Sequence, residues 1–158
     1  MSDEDVVLKD LPQRKVVCVQ CKGSWRQLPG MLARLSEYAS QGGIETTGQP
    51  SGFYYNTLGE VAIEELSWEV CYPVQPNISK LANDNLKLGV REIPATQVAA
   101  IIHKGSYRKA SLSYEKLQGW IKAHGLKVCG PAEESYLTDI NKTNEEQRIE
   151  IRLPVYPA

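Results

Sequence analysis

The residues with the clearest chemical potential are acids set beside aromatics: Glu134 and Tyr136 two apart, Glu150 two before Arg152, and Glu69, Tyr54, Trp25 and Tyr107 elsewhere in the chain. A carboxylate flanked by phenols can anchor an organic cation through its charge while the rings supply stacking and cation–π contact. Where burial raises its pKa, the same carboxylate can act as a general base toward water. Other reactive side chains are less suggestive. Cys18 and Cys21 have C-x-x-C spacing, yet they fall in the strand-like run Val16-Val17-Cys18-Val19-Gln20-Cys21, where positions i and i+3 point to opposite faces. With Cys71 and Cys129 they read as small thiols, and no metal or cofactor is expected. His103 falls on a buried-looking strand and His124 at a helix end, where it suits the helix dipole. Neither shows a triad spacing or is expected to ligate haem.

These residues must be held by one domain, because 158 residues suffice for a single well-packed core but hardly for two independent ones. A hydrophobic content of 42% with 23% charged residues argues against disorder and against a disulfide scaffold. Lys and Arg (18) nearly balance Asp and Glu (19), and no basic run is present, so nucleic acid is not an expected partner. No apolar stretch reaches bilayer length and the N-terminus is acidic, which points to a cytoplasmic protein that does not enter the membrane.

The positioning elements emerge from an internal repeat. At a constant spacing of 82 residues, Pro12 matches Pro94, Val16 Val98, Lys22 Lys104, Gly23 Gly105, Ser24 Ser106 and Arg26 Arg108, with Trp25 answering Tyr107. The register continues through Leu35/Leu117, Gly43/Gly125, Gly48/Gly130 and Tyr54/Tyr136. After a one-residue gap it pairs Glu69 with Glu150 and Pro73 with Pro154. The modules run from about 5 to 75 and from about 86 to 158, joined by a polar linker from Gln75 to Asn85.

Each module predicts a strand (15–21; 97–103), a Lys-Gly-Ser-aromatic turn and a helix. The helices carry Met31, Leu32, Leu35 and Tyr38 in one module, and Tyr114, Leu117, Trp120, Ile121 and His124 in the other. Pro29 and Ser111 or Ser113 are the starts, Gly42-Gly43 and Gly125 the stops. A hairpin follows in each (52–56 with 66–74; 133–139 with 148–155). The fold class is therefore α+β: a duplicated strand-helix-strand-strand module forming a pseudo-two-fold antiparallel sheet, with helices on one face and a cleft between modules. Strand alternation puts Ile149, Ile151 and Leu153 beneath the helix and Glu150 and Arg152 on the other face, while Glu134, Tyr136 and Thr138 share a face of the hairpin partner. Two carboxylates and a phenol meet if those polar faces coincide. A simpler reading pairs Glu134 with Arg148 or Arg152. Trp68 and Trp120 are expected in the core.

The ordered set Ile93-Pro94-Ala95, Val98-Ala99, Lys104-Gly105-Ser106-Tyr107, Leu117, Gly125, Gly130-Pro131, Glu134-x-Tyr136 and Glu150-x-x-x-Pro154-Val155 resembles the GyrI-like effector-binding domain. That domain is the ligand-binding part of AraC- and MerR-type multidrug regulators. The resemblance covers essentially the whole chain. It implies a pocket at the pseudo-two-fold interface with an acid at the Glu134 position touching the ligand, so that Glu134, Tyr136, Glu150, Tyr54, Glu69, Trp25 and Tyr107 are the candidate ligand-binding residues. It leaves three functions open: binding a lipophilic or cationic small molecule, hydrolysing cyclopropane-containing or other electrophilic toxins with Glu134 or Glu150, and modulating a protein partner such as a regulator or DNA gyrase. The chain carries no recognisable DNA-binding region, and direct transcriptional control is not expected.

Overall fold

The computed structural model describes residues 6–56, 59–78, 88–106, 109–139 and 144–158. The first repeat contributes β1 (Val7–Leu11), β2 (Arg14–Lys22), α1 (Leu28–Gln41), β3 (Ser51–Tyr54) and β4 (Ser67–Pro73). The second contributes β5 (Leu88–Ile93), β6 (Thr96–Lys104), α2 (Ser111–Ala123), β7 (Leu126–Val128), β8 (Ala132–Tyr136) and β9 (Arg148–Pro157). Pro29 lies in the first turn of α1, Gly42 caps its end, and Gly43 and Gly125 adopt left-handed φ of +72° and +69°, while α2 begins at Ser111 behind Ala110, with no serine side chain capping it. The runs Val16–Val19 and Val98–Ile101 are buried without alternation, because both faces of β2 and β6 are covered.

The chain forms two compact units, and they are not the two repeats. One is Gln13–Pro94; the other is Met1–Pro12 together with Ala95–Ala158. Sequence reading starts each module at its first apolar run and so misses a leading strand in each, β1 and β5. β1 pairs antiparallel with β6, setting Lys9 opposite Val98, while β5 pairs with β2, setting Arg91 opposite Val16. Each repeat therefore gives its leading strand to the unit built on the other. Within the units the strand orders are β5-β2-β4-β3 and β1-β6-β9-β8, all antiparallel, with β7 added along the end of β9.

In the first unit α1 lies on β2 and β4, and in the second α2 lies on β6 and β7. The two Lys-Gly-Ser turns are built alike. Gly23 (φ +100°) donates its amide to Leu66 O at 2.8 Å, and Gly105 (φ +112°) donates to Gln147 O at 2.9 Å. Between helix and sheet, Leu35 of α1 is buried with Trp68 and Val70 in one unit, and Leu117 of α2 with Ile149 and Ile151 in the other. Trp120, expected in the core, is instead half-buried at the edge of α2, stacked on His124 at 3.9 Å.

The exchanged strands are fastened by ion pairs at equivalent positions, since Lys9 and Arg91 are 82 residues apart. Arg91 Nη2 lies 2.6 Å from Glu69 Oε1, and Lys9 Nζ lies 2.5 Å from Glu150 Oε2. Glu69 is fully buried, whereas the Arg91 and Lys9 side chains are 38% and 41% exposed. Removing the partner of a buried charge is strongly destabilising, moderated here by the exposure of the cations and the other bonds each acid keeps. Arg91→Met is expected to cost about 2 kcal/mol, read as a lower urea midpoint at unchanged m-value. Lys9→Met should cost less, because Glu150 retains Arg152; equal losses would overturn the ranking.

Candidate functional site

The pairing register decides which candidates meet, because residues directly opposite each other in an antiparallel pair share a face. Glu134 lies opposite Ile151 and Tyr136 opposite Ile149, whereas Glu133 lies opposite Arg152 and Ser135 opposite Glu150. Glu134 and Tyr136 thus share the face covered by α2, and Glu150 points to the other. The polar faces do not coincide, and the expected meeting of two carboxylates is replaced by two separate clusters. The first unit divides in the same way. Tyr54 lies opposite Trp68 on the helix side, and Phe53 opposite Glu69 on the other.

On the helix face of the second unit, Glu134 is buried with two phenols aimed at it. Tyr114, from the first turns of α2, donates to Oε2 at 2.5 Å, and Tyr136 donates to Oε1 at 3.1 Å. Burial pushes the Glu134 carboxyl above the usual carboxylate range, and the two phenol hydrogen bonds only partly oppose that. Among the described residues no cation pairs with it. Arg152 is taken by Glu133 and Glu150, and the Arg148 guanidinium bonds the carbonyls of Glu145 and Gln147. The simpler reading, a strand ion pair to either arginine, therefore does not hold. Tyr114 was legible only as part of the apolar helical stripe; nothing in the sequence marked its hydroxyl.

On the helix face of the first unit the counterpart of Glu134 is Gly52, and the surroundings are aromatic. Trp25 meets Tyr54 edge-on at 5.7 Å, and Tyr54 stacks on buried Trp68 at 6.2 Å. Trp68 donates its indole N–H to Gly23 O at 3.0 Å, while Trp25 Nε1 is buried with no partner among the described residues. Tyr107, the counterpart of Trp25, lies outside the described residues.

The opposite faces carry the paired acids. Glu69 accepts from Gln20 (2.8 Å), Tyr55 (2.5 Å) and Arg91. Burial and then Glu69 push the Tyr55 phenol upward. Glu150 accepts from Lys9 and, at 2.7 Å, from Arg152 Nε. Burial alone would raise the Glu150 pKa, but these bonds outweigh it and hold the carboxyl below the usual range. Cys18 and Cys71, opposite each other on β2 and β4, bring their sulfurs within 4.8 Å of each other and of a Glu69 oxygen. The set does not suit a metal ion. The Cys71 thiol is pushed well up by its bond to Cys18, by burial and by Glu69, and Glu69 already holds a guanidinium. Cys21 lies on the other face, opposite Trp68, as its spacing from Cys18 requires.

Comparison with known proteins gives one family and several similar structures. The model of the GyrI-like small-molecule-binding domain matches residues 4–156. No functionally curated protein matches the sequence. The fold is similar to the C-terminal domain of EcmrR (TM-score 0.83, 20% identity, 98% of each chain covered), and it spans 58% of the longer EcmrR chain seen in a DNA complex. It is also similar to a hydrolase from Listeria innocua (TM-score 0.72, 13% identity, 96% and 91% covered). A third likeness is to SAV2435 bound to tetraphenylphosphonium (TM-score 0.61, 18% identity, 97% and 94% covered).

The raised Glu134 pKa carries a stability consequence. Between the unfolded glutamate value, about 4.3, and the higher folded value, the folded chain keeps a proton that the unfolded chain has lost, so stability falls as pH rises through that window. Glu134→Gln removes this term. Urea melts at pH 4 and pH 8 should show the variant gaining on wild type at the higher pH; a gap that does not change with pH would refute the burial account.

Proposed function

Because the chain belongs to the GyrI-like small-molecule-binding domains, we propose that it binds a lipophilic organic cation, with Glu134 as the anchoring anion and Tyr114 and Tyr136 as its positioning residues. The observation that carries this reading is a buried carboxylate supplied with two hydrogen-bond donors and, among the described residues, no countercharge. An ionised carboxylate away from water is unfavourable until a cation arrives, and a cation with apolar substituents can arrive without retaining its own hydration shell. A small inorganic cation gains less, since it gives up strong hydration. Within the second unit, the half-buried Tyr114 ring beside the carboxylate offers such a ligand a face for cation–π contact. The structural likeness to SAV2435, which binds tetraphenylphosphonium, supports the choice of probe.

A second reading, hydrolysis of an electrophilic toxin, draws on the same raised pKa, which suits Glu134 to take a proton from water. Glu150 does not enter it, being ion-paired on the other face. Product formation distinguishes this reading from simple binding.

Calorimetric titration with tetraphenylphosphonium should give one-site binding that tightens as pH rises through the Glu134 titration, since the cation displaces a proton. Glu134→Gln should weaken it about tenfold or more, roughly 1.4 kcal/mol, and flatten the pH dependence. Equal affinity in the variant, or equally tight binding of neutral triphenylphosphine oxide, would sink the cation reading.

A further inference from the structure

Apart from the Glu134 cluster, one nucleophile in the second unit sits against a base. Ser113 Oγ lies 2.9 Å from His103 Nδ1, and His103 Nε2 lies 2.8 Å from the carbonyl oxygen of Ser106. A carbonyl oxygen only accepts, so Nε2 carries the proton, and in the neutral ring Nδ1 offers the lone pair into which the Ser113 hydroxyl donates. This is the proton arrangement of a nucleophile–base pair, with a main-chain carbonyl in the orienting role that a carboxylate fills in a triad. His103 is 8% exposed and held at both nitrogens, whereas Ser113 is half-exposed beside Leu112, which is 70% exposed. Ser113 is the third residue of α2, so it belongs to the turn whose N–H groups a helix leaves without internal partners.

The repeat separates local structure from added chemistry. Ser24 is the counterpart of Ser106, and its carbonyl oxygen accepts from Gln27 Nε2 at 3.1 Å. The first repeat thus satisfies that carbonyl without a histidine. At the counterparts of His103 and Ser113 it carries Cys21 and Met31. The hydroxyl–imidazole contact is therefore not needed to close a Lys-Gly-Ser turn, and it is present in one repeat only.

We propose that Ser113 and His103 form an acyl-transfer site for small carboxylic esters, distinct from the Glu134 cluster. Ser113 Oγ attacks the ester carbonyl carbon as its proton passes to His103 Nδ1, and the resulting imidazolium keeps its Nε2–H bond to Ser106 O. First-turn N–H groups of α2 stabilise the oxyanion. Collapse breaks the bond to the alkoxide, which leaves as the alcohol with the proton from Nδ1. Water, deprotonated by Nδ1, then releases the carboxylic acid and restores Ser113.

The test uses the whole chain with p-nitrophenyl acetate and, separately, an alkyl fluorophosphonate followed by intact-mass and peptide mapping. The expected results are a burst of p-nitrophenol and one phosphonyl adduct on Ser113, both lost in Ser113→Ala and unchanged in Ser111→Ala. His103→Gln keeps an amide able to donate to Ser106 O, as Gln27 does to Ser24 O, so its melting temperature should hold while the acylation rate falls about 100-fold. No adduct on wild type, an adduct mapped elsewhere, or a His103→Gln rate equal to wild type would each overturn the proposal. Mapping on wild type decides the matter even if Ser113→Ala fails to fold.

Discussion

A carboxylate on an interior strand, stripped of water, must have its charge answered, and the arrangement of this chain follows from how that is done. Glu69 on β4 and Glu150 on β9 occupy equivalent positions in the two units, and each is met by a cation that the other repeat supplies on its leading strand. Arg91 comes on β5 and Lys9 on β1. A buried ion pair is weak evidence for net stability but strong evidence for register, because any other pairing strands a charge. A leading strand paired to its own repeat in that register would still meet the acid, so the ion pairs fix where a strand sits along the sheet rather than which repeat supplies it.

Against those two solved cases Glu134 stands out by its environment rather than its residue type. It too is buried, yet phenols take the place of cations, and its pKa moves in the opposite direction from that of Glu150. Duplication made this possible. Where a position serves the fold in both halves, as with Glu69 and Glu150 or Gly23 and Gly105, the residue recurs. Where only one half uses the position, the other is free to change: Gly52 against Glu134, Cys21 against His103, Cys71 against Arg152.

Much of the architecture was legible in the sequence for the same reason. The repeat located both hairpins, both helices and both glycine turns, because turn glycines and apolar periods are local signals. Alternation along β9 correctly put Ile149 and Ile151 under the helix. What alternation within one strand could not tell was its phase relative to β8, so Glu134 and Glu150 were drawn to one face when the register sets them on two. The leading strands went unread because Val7–Leu11 and Leu88–Ile93 interleave charge with short apolar residues, and their strand character lies in the partner they join. Tyr114 was visible as a core-facing helix residue, but its bond to Glu134 depends on two elements whose approach no local pattern encodes.

The exchange of leading strands also orders the events of synthesis. Gln13–Pro94 is continuous in the chain, and its β2, β4 and β5 are all available once the first 94 residues have left the ribosome. The other unit is discontinuous. β1 precedes that unit, yet its pairing partner β6 ends at Lys104, and Glu150, which Lys9 must meet, lies 141 residues beyond Lys9. β1 therefore finds its partner only after the whole of the first unit has been made. Until β6 is made, the segment bearing Val7 and Leu8 has no strand to join, and its ion pair to Glu150 closes only across 141 residues.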